Sequence, residues 1–185
     1  MHVTDFIHTY PFAISRNLAD EVIHHYHTNG EWNQSSFSTS DGISPRTNDR
    51  VDMKEYWINK QDKFYEELKT GFRGMVDDYI KTHTKILPQS FTPFRMNHYT
   101  EGGFMKNHID NIHHSHGQQY GYPHVTALLF LQTAEEGGEI VFCDGEYIPK
   151  QTKASGVVFP SNFMFSHEVK EVIKGNRYSL MTWIL

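Results

Sequence analysis

Pro88 divides a chain of two characters, and the half that follows it most constrains the fold. Strand-like runs occupy 91–100, 125–133, 139–143, 155–160, 165–173 and 177–185. Turn signals separate them: Gly102-Gly103, Gly137-Gly138, Asp144-Gly145, Pro160-Ser161-Asn162 and Gly175-Asn176. Short apolar runs joined by tight turns pair antiparallel, because parallel pairing needs long crossovers. The first half instead carries helical spacing. Leu18, Val22, Ile23 and Tyr26 recur at a helical period, with Asn17 as the expected cap and Gly30 as terminator. A longer helix is predicted over 60–83, its stripe running from Phe64 through Leu68, Phe72 and Val76 to Ile80. Gly71 and Gly74 within it suggest close packing on a sheet. Residues 4–14 read as a short strand or extended arm stopped at Pro11. Residues 32–50 read as a polar loop beside the site, with a strand conceivable around Phe37. The expected class is α+β, and 185 residues suit a single domain spanning 1–185. In that plan 1–88 give helical support and a substrate loop, and 89–185 the β core.

Composition narrows the function classes. The formal net charge is −5, which offers no general attraction to nucleic-acid phosphates or anionic membranes. Cys143 is the one cysteine, so no internal disulfide is expected, and a soluble, reducing, cytoplasmic setting is the default. No signal peptide and no membrane-length apolar run is apparent.

Chemistry concentrates in Arg95–Asp110, RMNHYTEGGFMKNHID. Alternation along a strand projects His108 and Asp110 from one face, half of a divalent-metal site. In a chain with 13 histidines, His-x-Asp alone is a weak signal. His167 supplies a third candidate, set between Phe165 and Val169 on an apolar strand face; two histidines and a carboxylate form the facial set that holds Fe(II) with positions open. Arg177 stands ten residues on, across the Gly175-Asn176 turn. A hairpin centred near 172 would bring it beside His167, and an arginine near a metal calls for a carboxylate between them.

The pattern Arg95-x3-Tyr99-x2-Gly102-x5-His108-x-Asp110 resembles the metal-strand signature of the 2-oxoglutarate- and Fe(II)-dependent dioxygenases, in their prolyl 4-hydroxylase-like branch. Gly137-Gly138-Glu139-Ile140-Val141-Phe142 is similar to that branch's Gly-Gly-Glu strand. Gly156–Pro160, His167–Val169, Gly175–Leu180 and Trp183 are similar to its final strands. The likeness covers about residues 90–185. It implies a double-stranded β-helix (jelly-roll) core with supporting N-terminal helices, and makes 89–185 the catalytic part. It also implies His108, Asp110 and His167 as Fe(II) ligands, Tyr99 and Arg177 as contacts of 2-oxoglutarate, and Trp183 and Arg95 on the substrate side. The implied reaction hydroxylates a C–H bond, with succinate and CO2 as co-products and ascorbate as a reductant. The implied partner is a protein or peptide containing proline, with neither nucleic acid nor membrane. Arg177 departs from the lysine of many collagen-type members, which places the chain nearer the oxygen-sensor and bacterial types.

Other readings are weaker on the residues. A small molecule or another amino-acid residue could replace proline as substrate. The nucleic-acid demethylase branch needs a second arginine six residues after Arg177, where this chain has Trp183. A binding protein on a dead jelly-roll would be expected to lack a ligand. A zinc hydrolase would leave Arg177 without a reason. His24 and His27, three apart on the first helix, read as a solvated face, and His113, His114 and His116 as a wet loop over the pocket mouth rather than a second metal site.

Overall fold

A computed structural model describes residues 2–35, 38–39, 42–43, 49–87, 90–110 and 122–185. The expected strand around Phe37 and the His113, His114, His116 loop lie outside them. In chain order the strands and helices are β1 (His8–Tyr10), α1 (Arg16–Asn29), β2 (Asn33–Gln34), β3 (Ser38–Thr39), β4 (Gly42–Ile43), β5 (Val51–Asp52) and β6 (Lys54–Ile58). Helix α2 (Tyr65–Thr82) follows, then β7 (Phe94–Tyr99), β8 (Phe104–His108), β9 (Val125–Gln132), β10 (Glu136–Gly137) and β11 (Ile140–Phe142). The chain closes with β12 (Ser155–Pro160), β13 (His167–Val169), β14 (Val172–Lys174) and β15 (Arg177–Ile184).

Two antiparallel sheets face each other. The major one is ordered β1-β12-β9-β15-β7-β6-β2 and the minor one β11-β13-β8-β5. This is the α+β double-stranded β-helix. The central strands of the major sheet are buried on both faces, which explains why β7, β9 and β15 read as unbroken apolar runs rather than as alternation. The two faces still sort by parity. In β15, Leu180 and Ile184 join the core beneath the helices, with Ala19, Val22 and Tyr26 of α1 and Leu68, Phe72 and Val76 of α2. Met181 and Trp183, from alternate positions, join the core between the sheets with Phe130, Phe142 and Phe159.

Several local expectations change. Ser15, not Asn17, caps α1: its Oγ accepts from Leu18 N at 3.1 Å, whereas Asn17 turns to Glu21. Gly71 packs against the Ile14 side chain and the Ala13 carbonyl, not on a sheet, and Gly74 faces open space. The first half holds strands as well as helices: β6 pairs with β7, β5 with β8 and β1 with β12. Those strands are short, with β1 and β5 at sheet edges, and a single sequence hardly marks their pattern. His24 and His27 are exposed, in keeping with a solvated face, and His27 Nδ1 lies 2.6 Å from the Tyr178 hydroxyl. Among the described residues no helix is long and apolar enough to cross a membrane.

Candidate metal centre and its arginine

β7 and β8 are joined by a tight turn that needs Gly102, at φ +83, a left-handed conformation that side chains rarely tolerate. The turn links the sheets: β7 lies in the major one and β8 in the minor one. His108 ends β8 and pairs directly with His167 on β13. Between this pair and Met105↔Val169, β8 sets two residues, Lys106 and Asn107, against the single Glu168, a bulge of the kind that re-aims side chains beside active sites. The strand stops at His108, and Asp110 follows in a bend.

The three side chains converge. His108 Nε2 lies 3.8 Å from Asp110 Oδ1, and His167 Nε2 lies 3.8 Å from Asp110 Oδ2. One ligand atom from each residue falls within 4.8 Å of the others, the one such cluster among the described residues. The other ring nitrogens are already engaged. His108 Nδ1 is 2.9 Å from the Lys106 carbonyl and His167 Nδ1 is 3.1 Å from the Phe165 carbonyl. A carbonyl can only accept, so each Nδ1 carries the proton and each Nε2 presents its lone pair inward. Asp110 Oδ2 accepts from Thr126 Oγ1 at 2.7 Å, and Thr126 lies 2.9 Å from Ser161 Oγ. Such partners orient a ligand set before any ion arrives.

Electrostatics keep the set in ligand form. Burial, and then His167, push the His108 imidazole down to about 3, so it is neutral at physiological pH. Burial alone would raise the Asp110 carboxyl, but His167, His108 and the Thr126 hydrogen bond outweigh it and hold it below the ordinary value. Two imidazoles with their Nε2 atoms facing one carboxylate, buried and pre-oriented, fit a divalent transition metal.

Arg177 opens β15, opposite Tyr99 on β7. It does not meet His167 across a hairpin, as the sequence suggested: β13 and β15 belong to opposite sheets, and the two residues face one cavity from its two walls. The residue is 2% exposed. One nitrogen donates to Ser179 Oγ at 2.9 Å, Nε has no partner, and Cζ lies 5.0 Å from the Tyr99 ring. No carboxylate of the described residues pairs with it. An isolated buried cation is expensive, so this one fits an anion delivered into the cavity. Gly138, at φ +71, lets backbone lie against it; a Cβ there would come within 3.3 Å of Arg177 Cδ. Burial pushes the Tyr99 hydroxyl up, which keeps it a neutral donor.

Arg95 lines the same cavity. Trp183 stands next to it, with Arg95 Cζ 5.5 Å from its ring. Every residue expected at the site therefore falls in or beside one cavity. Sequence reasoning passed over Thr126, Asn97, Ser179 and Trp57. Alternation from Arg95, Tyr99 and Arg177 already puts Asn97 and Ser179 on the inner face; Thr126 and Trp57 carry no local signal, because only tertiary pairing brings them here.

The comparisons agree with this geometry. The family model described as 2OG-Fe(II) oxygenase superfamily matches residues 94–185. A PKHD-type hydroxylase of Psychrobacter sp. is 26% identical over 165 residues, covering 85% of this chain and 60% of that protein. The chain spans 45–60% of the length of the first curated relatives it matches. Among solved structures, the viral collagen prolyl hydroxylase of Paramecium Bursaria Chlorella virus-1, in its 2OG complex, superposes with a TM-score of 0.76 at 15% identity. That match covers 99% of this chain and 98% of the viral one. A prolyl hydroxylase of Trichoplax adhaerens, bound to a hypoxia inducible factor peptide fragment, gives 0.74 at 19% identity, covering 98% and 84%. Sequence match and fold converge on one conclusion: the chain belongs to the 2OG-Fe(II) oxygenase superfamily, whose cofactors are Fe(II) and 2-oxoglutarate.

Proposed function

We propose that the chain is a 2-oxoglutarate- and Fe(II)-dependent hydroxylase acting on a prolyl residue of a protein or peptide. In this reading all 185 residues work as one unit, with 1–88 supporting the core and flanking the substrate path. The observation that carries it is the pairing, in one cavity, of a pre-oriented His108–Asp110–His167 set with a buried arginine that has no carboxylate of its own. His108, Asp110 and His167 would hold the iron, leaving positions for co-substrate and O2. Arg177 would take the distal carboxylate of 2-oxoglutarate, and Tyr99, stacked beside it, would donate its hydroxyl to the co-substrate. When bound, the cofactors supply the oxidation: O2 gives one oxygen atom to the substrate C–H bond and one to succinate, and CO2 leaves. The protein excludes water from the cavity and fixes orientation.

Proline as the target draws support from the Trichoplax neighbour, a prolyl hydroxylase with a bound peptide, and from the prolyl hydroxylase fold of the viral enzyme. The PKHD-type relative keeps other hydroxylation targets in play. A panel of proline-containing peptides, incubated with protein, Fe(II), 2-oxoglutarate and ascorbate, decides between them by mass spectrometry. A gain of one oxygen atom on proline is the expected product. Oxidation confined to free amino acids or other small molecules would overturn the prolyl reading.

A further inference from the structure

The inner face of the major sheet carries two buried arginines, and the proposed chemistry uses one. Strand register arranges that face in rows: Arg177 opposite Tyr99, Ser179 opposite Asn97, Met181 opposite Arg95. Four residues separate the arginine rows, roughly 13 Å of extended strand. Their surroundings differ. Arg177 Cζ lies over Tyr99 and Phe130, whereas Arg95 Cζ sits beside a pair of tryptophans, 5.9 Å from the Trp57 ring and 5.5 Å from the Trp183 ring.

The donors of Arg95 are poorly used. The residue is 9% exposed, and its Nε is buried without a partner. One terminal nitrogen donates to Met181 Sδ, a weak acceptor. The other stands 3.8 Å from Glu55 Oε2, close enough for attraction but beyond a hydrogen bond. Glu55 spends its own acceptors elsewhere, on Ser35 Oγ at 2.9 Å and Trp57 Nε1 at 3.3 Å. Glu55 thus balances the charge of Arg95 without satisfying its geometry. A guanidinium set against a pair of indoles, with its fork unfilled, is prepared for a planar anion.

We infer that Arg95 is a specificity-determining residue that receives a carboxylate of the substrate, carried close to the carbon that is oxidised. The inference rests on the proposed hydroxylase reading, because it assigns Arg177 to the co-substrate and leaves Arg95 to the substrate. Trp57 and Trp183 form the walls against which the substrate's apolar part would lie. The carboxylate belongs either to a chain terminus or to an acidic side chain next to the target residue.

The test uses the protein loaded with Fe(II) and 2-oxoglutarate without oxygen, and follows tryptophan fluorescence as probes are added. N-acetyl-L-proline is compared with N-acetyl-L-prolinamide, which differ in that carboxylate alone. A second pair, amide-capped peptides with proline followed by aspartate or by asparagine, distinguishes a terminal from a side-chain carboxylate. The expected result is at least one acid binding about tenfold more tightly than its amide, the ratio that one charge-assisted hydrogen bond supports. Arg95→Gln should erase that ratio and Arg95→Lys should keep part of it, with 2-oxoglutarate affinity unchanged in both. Equal affinities within both pairs in the wild-type protein, or binding of none of the four, would overturn the inference without any variant. So would an Arg95→Gln protein that keeps its preference for acid, or one that loses 2-oxoglutarate instead. Equilibrium dialysis of the wild-type protein with Fe(II) and 2-oxoglutarate is read separately, and failure to bind them would sink the hydroxylase reading itself.

Discussion

Asp110 does little by itself; its usefulness comes from what holds it. Thr126 donates to one oxygen while two imidazole nitrogens face the carboxylate, so the ligand geometry exists in advance of the metal. Thr126→Val should keep the fold and weaken Fe(II) binding about 10- to 100-fold, the usual loss for a supporting hydrogen bond at a metal ligand. Equilibrium dialysis measures it, and unchanged affinity would mean that the threonine is only a packing residue. Arg177 makes a second residue-scale prediction. Because its buried charge has no carboxylate partner, Arg177→Met should cost the ligand-free protein little stability or even gain some. 2-oxoglutarate with Fe(II) should then raise the melting temperature of the wild type, by about 2.7 kcal/mol of stabilisation at a hundredfold excess over Kd, and not that of the variant. Equal shifts would place the co-substrate elsewhere. Residue identity was the most legible level in the sequence. His108, Asp110, His167 and Arg177 carry chemistry that few other roles need, whereas Thr126 and Trp57 acquire theirs only through partners distant in the chain.

Elements explain how far that legibility reached. Strands β7, β9, β11, β12 and β15 were readable because each is rich in apolar side chains and has turn residues nearby. The more polar β8 and the two-residue β10 fall outside the apolar runs, and β13 and β14 read as one run. What alternation could not settle was which sheet each strand joins, so His167 and Arg177 looked like hairpin neighbours when they face each other across a cavity. Strands β5 and β6 escaped notice because they are short and mixed in polarity, and are completed by pairing with β8 and β7. Helix α2 offers a comparison of two glycines on one element. Gly74 has open space where a Cβ would go, so Gly74→Ala should stabilise the protein by about 0.5–1 kcal/mol. Gly71 lies against Ile14 and the Ala13 carbonyl, so Gly71→Ala should destabilise it by about 1–3 kcal/mol through overpacking. Chemical denaturation of both variants checks the pair, and the same sign for both would contradict this account of how α2 seats on the N-terminal segment.

At the scale of the whole molecule, burial sets the response to acid. His83, His98 and His108 are all held below the ordinary imidazole value of 6.5, in each case chiefly by desolvation. The unfolded chain takes up protons below 6.5 that the folded chain refuses, so stability falls as pH drops from there, for His108 down to about 3. Asp110 acts in the same sense below 3.8, since its folded carboxyl lies lower still. Melting temperature of the metal-free protein should therefore decline steadily from about pH 7 to pH 5. A flat or rising profile would mean these rings are solvated in solution. The central claim, that one cavity between two sheets unites an iron site and a co-substrate arginine, has a more direct test in succinate formed from 2-oxoglutarate. Wild-type protein should release succinate only with Fe(II) and O2, and His108→Ala and His167→Ala should each lower that release at least about 100-fold, the scale expected when a group essential to the chemistry is removed. Succinate release undiminished in either variant would contradict the account.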